Sequence, residues 1–536
     1  MRALVKVMGL LAIILMLAGP PRSGEAGPAE EKPTEAKDEV EDVLAEVQAM
    51  NGPGAARPPT NWRQGHVSNM KFNRKAIKRT QAGFEIQMAR KTAIPTPTVH
   101  DGKLFVGGGF NSKQFHAFDA RSGKLLWAVN LDDDGPSSAV VDDGVVVFNT
   151  ESCTIFALDA STGKMLWSWW LGDPLTSTPT IAKGRVFTSY PARGGGGVPQ
   201  QMNGLHHLPQ QKSASPQQLA PKHIPAPEQN AKAPPSTHAL AAFDLKTGKV
   251  LWQRWIDSDV MSAPVASGDE LHAATFSGTT YVFSQRNGEI RSAKRSRATS
   301  APVIDGKQVY YTQRSDKDGE DPREAIAQAE RTTGRVQKQM NPKQAGYLDQ
   351  KVQMKSGYAT ESLSQDAGNG FGSGAPAAAN PQASLSNVGL GNVSSMQAFQ
   401  GSRIARLSGG NNYNVMGDEI VSTDPRSGKV LWSRKLHGDL ERVGGSLGTA
   451  PAAAGNHLFV ATLGGKVMQI RSSDGKTVRE FSVGAPVRFQ PAIVDGRIYV
   501  GTQDGRIVCL DTGDRSLTGW STWGGNPAHT GVASGS

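Results

Sequence analysis

Cysteine is almost missing from this chain: there are two in 536 residues, Cys153 and Cys509. They fall in repeat units far apart along the sequence, so no disulfide is expected, and a chain of this length can rest on packing alone. No Cys-x-x-Cys-His run is present, which excludes a c-type haem attachment site for passing electrons onward. Membrane-length apolar stretches are missing too. The run from Met8 to Leu17 is too short to span a bilayer; with Arg2 and Lys6 before it and the small-residue stretch Gly24-Glu-Ala26 after it, residues 1–26 read as a signal peptide. This predicts a periplasmic or secreted protein, with an uncleaved anchor left open. Dedicated metal motifs are lacking as well. Asp132-Asp-Asp134-Gly does not continue with the ligand spacing of an EF-hand loop, and His206, His207, His223 and His238 sit in or beside low-complexity sequence with no rigid frame for a metal. No Ser, His and Asp constellation stands out, so no catalytic, cofactor-binding or metal residues are assigned.

What the chain does have is repetition. Ala157-Leu-Asp159-Ala-Ser-Thr162-Gly163-Lys-Met-Leu-Trp167 recurs around Asp119, Gly123 and Trp127, around Asp244, Gly248 and Trp252, and around Asp424, Gly428 and Trp432. Self-similarity on this scale decides the architecture before any local reading. Physically the motif is a hairpin. Asp and Ser or Thr cap the turn, Gly supplies a positive φ, and Trp opens the outgoing strand. Apolar residues occupy both faces of that strand (Met165, Trp167 and Trp169; Leu166 and Trp170), so each sheet must be covered on both sides, as radially packed sheets are.

The Ala-x-Asp-x-x-Thr-Gly-x-x-x-Trp pattern, preceded by Pro-x-(Val/Ile)-x-x-Gly-x-(Val/Leu)-(Phe/Tyr), resembles the tryptophan-docking repeat of the pyrroloquinoline quinone (PQQ)-like β-propellers. That family contains quinone-dependent alcohol dehydrogenases and non-enzymatic BamB-like members. The resemblance implies an all-β, eight-bladed β-propeller of four-stranded antiparallel blades over residues 61–531. Gly83-Phe-Glu-Ile-Gln-Met88 is an N-terminal strand that would complete the last blade and remove the open edges. The sixth unit is degenerate, with Gly401-Ser-Arg-Ile404 standing for the strand written elsewhere as Asp-Gly-Arg-Ile-Tyr; without it the ring has seven blades. The fourth unit turns at Asn287-Gly288 without a tryptophan, and the fifth has Lys338 in the tryptophan position. Gly519 to His529 resembles the family's end segment and is expected across the closing blade.

Two insertions, 193–235 and 344–400, are rich in Gly with Pro, Gln and His or with Ser, Ala and Asn, and lack the apolar periodicity to fold alone; disordered loops are expected. Residues 27–60 form an acidic tail and linker. Within it Val40, Val43, Leu44 and Val47 recur at helical spacing, which fits either a solvated spacer or a helix that docks in a partner's groove. The formal charge is +10. With the tail acidic, the propeller is more basic still. Lys71, Arg74, Lys75, Lys78 and Arg79 form one basic cluster; Arg291, Lys294, Arg295 and Arg297 form another and are a candidate anion or partner patch. Cys509 stands where other units have Ala and reads as a buried core thiol.

The family's dehydrogenases use an adjacent Cys-Cys pair, a Ca²⁺ held by Glu and Asn, and a catalytic Asp. No Cys-Cys dipeptide occurs here. Nor does a cysteine follow the apolar leader, so the lipid anchor of BamB-like members has no acceptor. The resemblance therefore implies a non-enzymatic, cofactor-free binding or scaffolding platform, with envelope or outer-membrane proteins as partners and anionic polysaccharide or lipid headgroups as further candidates. Nucleic acid is not expected. A quinoprotein oxidoreductase with an atypical PQQ site and a carbohydrate-binding envelope protein remain the alternatives.

Overall fold

The computed structural model describes residues 40–51, 66–109, 111–150, 154–171, 178–191, 238–317, 320–321, 323–344, 403–408, 410–438 and 446–533, all within the compact unit Pro33–Ser536. Residues 1–26, read from the sequence as a signal peptide, the linker after Asn51, Cys153, His206, His207, His223 and nearly all of both insertions lie outside these residues.

Eight antiparallel sheets form the blades of a propeller. Their innermost strands are Thr98–His100, Val140–Asp142, Thr180–Ala182, Val265–Ser267, Val303–Asp305, Ile404–Leu407, Ala452–Ala454 and Ala492–Val494. Each neighbours the next, and the last neighbours the first, so the ring is closed. Within a blade the first and second strands are joined by tight turns such as Asp143-Gly144, where both residues have positive φ (45° and 73°). This mirror-image turn matches the right-handed twist of the strands it joins. The third and fourth strands are joined by the Asp/Gly hairpin. In blade 2 the Asp159 carboxylate accepts from the amides of Ser161 and Thr162 at 3.1 and 2.8 Å, and the ladder shifts register after Ala157.

Tryptophans lock four such hairpins, those of blades 2, 3, 4 and 7, to the preceding blade. Trp167 is fully buried, donates from Nε1 to the Leu245 carbonyl at 2.8 Å and covers Gly248, where a Cβ would come within 2.6 Å of the indole. Trp127, Trp252 and Trp432 repeat this with the Ala160, Gln285 and Ser472 carbonyls at 3.1, 3.0 and 2.9 Å. At ring closure Phe84 lies against Gly123, and Tyr499 donates to the Ala120 carbonyl at 2.9 Å.

The N-terminal part of the chain supplies outer strands to three blades: β1 (Glu41–Asp42), β2 (Val67–Asn69), and the pair β3 (Ile77–Thr80) and β4 (Gly83–Gln87). β4 pairs with Arg506–Asp511 and completes blade 8, as the sequence leads one to expect; β3 then adds a fifth strand. β2 is the fifth strand of blade 1 and β1 the fifth of blade 4. These two or three-residue strands carry no periodicity that a sequence could betray.

Blade 6 is real but differs from expectation. Its innermost strand is Ile404–Leu407, and the second strand, assigned from sequence to 401–404, is Asn412–Met416. The pattern was obscured because polar side chains are buried there as a network. Arg406, 3% exposed, is paired with Asp305 at 2.7 Å, lies over the Tyr310 ring and donates to Asn412.

Candidate interaction site

In a ring of blades, a ligand on the axis can touch every blade at once. Here the chain's own C-terminal segment fills that position. Trp520 exchanges both backbone hydrogen bonds with Ile493 of blade 8, at 2.7 and 3.2 Å. The carbonyls of Ser521, Pro527, Ala528, Thr530 and Gly531 then accept from Val99, Ile181, Ala266, Ile304 and Arg406, the innermost strands of blades 1, 3, 4, 5 and 6. Val532–Ala533 ends as a parallel strand beside Ile404–Leu407. The tail thus runs well past the closing blade on which the sequence places it. Free innermost-strand amides face the axis in any such ring, and the tail satisfies one in each of six blades.

His529 anchors this plug. It is buried, stacks on Trp523 at 3.9 Å, and its two ring nitrogens face the Trp523 and Pro179 carbonyls at 2.9 and 3.0 Å. Only an imidazolium could donate to both, but desolvation outweighs those carbonyls and pulls its pKa down to about 4.

The links between second and third strands, and those between successive blades, open on one face because antiparallel strands alternate direction. Both insertions join the ring there, between Arg185–Pro191 and His238–Asp244 and between Val336–Gln344 and Ile404–Leu407. Carboxylates on this face are braced. Glu324, wholly buried, meets Arg403 at 2.6 Å; Asp316 takes two bonds from Arg314 Nε at 2.8 and 2.9 Å; Asp259 accepts from Ser189 at 2.5 Å. Asp257 accepts from Thr279 at 2.6 Å, and burial raises its pKa. Held by guanidinium or hydroxyl donors, these groups tie loops together. Among the described residues no group of three or more His, Cys, Asp or Glu side chains could hold a metal ion. Asp132 and Asp133 point to separate partners, the His66 amide and Thr150. His238 is buried in blade 3, where desolvation lowers its pKa to about 4. Cys509 is buried beside Arg497 and Tyr499, and desolvation raises its thiol pKa to about 11.

The outer rim presents the remaining surface, and its edges are treated differently from blade to blade. On blade 4, β1 pairs with Ile290–Arg295 in the register Glu41↔Arg295 and Asp42↔Lys294. The helix that follows, α1 (Leu44–Asn51), buries Val47 and Met50 together with the preceding Val43 against blades 3 and 4. Asn51 ends it by imitating a strand: its side-chain amide donates to the Trp255 carbonyl at 3.1 Å and accepts from the Trp255 amide at 2.7 Å. The amphipathic helix seen in the sequence therefore docks on its own propeller. The basic cluster beneath it is met within the chain. Lys294 pairs with Asp42 at 2.5 Å, Arg295 with Glu41 and Glu46 at 2.9 and 3.0 Å, Arg291 with Asp269 at 3.2 Å and Arg297 with Asp316 at 3.3 Å. Each of the four candidate patch residues thus has an acidic partner within the chain.

Blade 6 is the opposite case. No described residue pairs with the outer edge of Val430–Lys435, and Val430 and Leu431 are 43% and 52% exposed. Val478 on the outer strand of blade 7 is exposed beside it in the ring. No described helix is long and apolar enough to cross a membrane.

A family model described as outer membrane protein assembly factor BamB matches residues 60–151, 111–340 and 417–535. No curated protein matches the chain. Among solved structures, BamB from Moraxella catarrhalis is 13% identical, over 81% of this chain and 99% of its own, with a TM-score of 0.49. Saccharomyces cerevisiae Sqt1 is 10% identical, over 80% and 97%, with a TM-score of 0.50. Quinohemoprotein alcohol dehydrogenase from Comamonas testosteroni is 14% identical, over 83% and 78%, with a TM-score of 0.47. Identities this low speak to fold alone. The family model, by contrast, spans well over half of the sequence and all eight blades carry strands of the repeat, so this chain belongs to the PQQ-like β-propeller family whose model is described as outer membrane protein assembly factor BamB.

Proposed function

We propose that this protein is an exported, non-catalytic platform that holds envelope proteins, outer-membrane assembly proteins first among them, on the rim of its propeller. The observation that carries this reading is the outer strand Val430–Lys435 of blade 6, whose outer edge no described residue pairs, with Val430 and Leu431 exposed on it. Such an edge invites strand addition by another chain, with backbone bonds giving affinity and side chains giving selectivity. Blade 4 supports it, because there the same kind of edge is completed by an added strand and helix. The family description points to the same class of partner.

The residues present do not fit pyrroloquinoline quinone. The axis is filled by Trp520 to Ala533, and the buried Cys509 has no neighbouring cysteine in sequence with which to clasp a quinone. Titration with PQQ and Ca²⁺, following absorbance and thermal melting, is expected to leave the melting temperature unchanged; a saturable rise would demand an oxidoreductase instead.

The direct test is capture from envelope extract with the full chain and with Leu431→Lys. A lysine on this exposed strand should change stability by no more than about 0.5 kcal/mol while lowering recovery of outer-membrane assembly proteins at least several-fold. Equal recovery by both chains would remove blade 6 as the platform.

A further inference from the structure

The two basic clusters of the sequence end in different states. That at 291–297 is met by carboxylates of the same chain. The other, Lys71, Arg74, Lys75, Lys78 and Arg79, lies where the chain crosses from β2 on blade 1 to β3 on blade 8. All five residues are exposed, and among the described residues none of their side chains has an ion pair or a hydrogen bond. Acids beside them are already engaged. Glu85, opposite Lys78 in the β3–β4 ladder, is bonded by Arg506 at 3.1 Å. Asp511, whose amide donates to the Ala82 carbonyl in the β3–β4 turn, pairs with Arg497 and Arg515 at 3.1 and 2.7 Å.

The backbone of β3 adds a second feature. Thr80 and Gly83 close a two-residue turn, and residues flanking such a turn exchange their backbone bonds. By the alternation of an antiparallel ladder, Thr80 and Lys78 therefore bond to β4, while Ile77 and Arg79 turn their backbone groups outward. The Ile77 amide is taken by the Arg74 carbonyl. Beside the Ile77 carbonyl and both backbone groups of Arg79 there is no described strand. Blade 4 shows what such an edge accepts. Its outer strand carries Lys294 and Arg295, and the strand added to it is acidic, with Glu41 opposite Arg295 and Asp42 opposite Lys294. The ion pairs follow that register, at 2.9 and 2.5 Å. Lysine and arginine on an edge deter most strands. Carboxylates placed opposite them turn the same charges into a selector.

We propose that the outer edge of blade 8 takes an acidic, extended segment of another polypeptide as an added strand beside β3. Backbone bonds to Ile77 and Arg79 hold the segment, and carboxylates opposite Lys78 and Arg79 repeat the register of blade 4. Lys71, Arg74 and Lys75 meet acidic residues just beyond the strand. A lipid headgroup would use the charges but has no strand to offer the backbone, so a polypeptide is the occupant that uses both features. This surface lies on a different blade from the edge Val430–Lys435, and either can fail without the other.

The test uses the full chain and three probes: a fluorescent peptide of alternating Glu and Val, its Lys and Val counterpart, and phosphatidylglycerol vesicles. Anisotropy or co-sedimentation reads binding, and hydrogen exchange of the Arg79 amide reads strand addition. The acidic peptide is expected to bind, to slow exchange at Arg79 and to weaken in about 1 M salt; the basic peptide is expected not to bind. Lys78→Glu together with Arg79→Glu, both on exposed positions, should weaken the acidic peptide at least about tenfold. The same chain should now take the basic peptide, a reversal that a merely structural role of these residues would not produce. No binding of the acidic peptide, binding that leaves exchange at Arg79 unaltered, or undiminished binding to the doubly substituted chain overturns the proposal. Vesicle binding without peptide binding overturns it in favour of a lipid surface.

Discussion

The outer edges of blades 4 and 6 are built from the same repeat and end up in opposite states. Blade 4 is closed by β1 and α1, so that Val43, Val47 and Met50 are buried and Lys294 and Arg295 meet carboxylates. Blade 6 ends in Val430–Lys435 with Leu431 half exposed and no described strand beside it. A propeller's inner framework thus does not decide what its rim does. Closing the ring satisfies the strands near the axis, but each outer strand still has one further edge, and the described residues cover only some of them.

The contrast can be broken most severely at Val47, which is 3% exposed beneath α1. Val47→Asp would bury an unpaired charge, at a cost of about 3 kcal/mol. The segment escapes that cost by undocking, so the loss of stability is capped at whatever docking is worth. The expected outcome is a lower urea midpoint together with new protease cleavage within residues 40–51. Blade 4 would then resemble blade 6, with an open basic edge. Unchanged protection would mean that α1 is held by its ends and not by its apolar face.

Much of this frame was legible in the residues. Four hairpins with Asp, Gly and Trp at fixed spacing specify a ring, because a sheet apolar on both faces needs neighbours on both sides. The strand at Gly83 could be assigned to the last blade because a blade one strand short needs a partner. The rim was harder to read. β1 is two residues long, and its register against blade 4 depends on pairs such as Asp42 and Lys294 that lie 252 positions apart. The spacing of Val43 and Val47 announces an amphipathic helix but not the surface it will meet. The basic cluster at 291–297 looks free in sequence for the same reason: its counter-ions are remote. The missing tryptophan of blade 4 was visible, whereas what takes its place over Gly334, the Ser292 hydroxyl and the Lys294 stem, was not.

A second, smaller lever is Asn51. Its side chain makes both of the bonds that a neighbouring strand would make to Trp255. Asn51→Ala removes both bonds to Trp255 at the blade 3 edge and the fastening of the helix end, with an expected loss of about 2 kcal/mol. Asn51→Asp restores the acceptor for the Trp255 amide but sets a carboxylate against its carbonyl, so it should rescue only part. Hydrogen exchange of the Trp255 amide reads this directly. Fast exchange in the alanine chain, with the rest of blade 3 still protected, would show that the edge and not the blade has opened. An unaltered rate would mean that this side chain contributes nothing to closing the edge.

The smallest effect belongs to the charges. Asp42 holds its proton less readily than an ordinary aspartate because Lys294 bonds its carboxylate, with the Leu44 amide helping. A folded-state pKa below the unfolded one contributes stability above about pH 4, which is lost as pH falls toward the folded value. The aspartate is more than half exposed, so solvent and salt screen most of it. A double-mutant cycle with Asp42→Asn and Lys294→Gln should return a coupling of about 0.5 kcal/mol, shrinking in 1 M salt and vanishing in acid. A coupling several times larger that salt did not touch would transfer the credit for closing this edge from the apolar face of α1 to its ion pairs. The edge of blade 6 would then differ from blade 4 chiefly in having no described acidic segment along it, and an acidic strand would become the favoured occupant there.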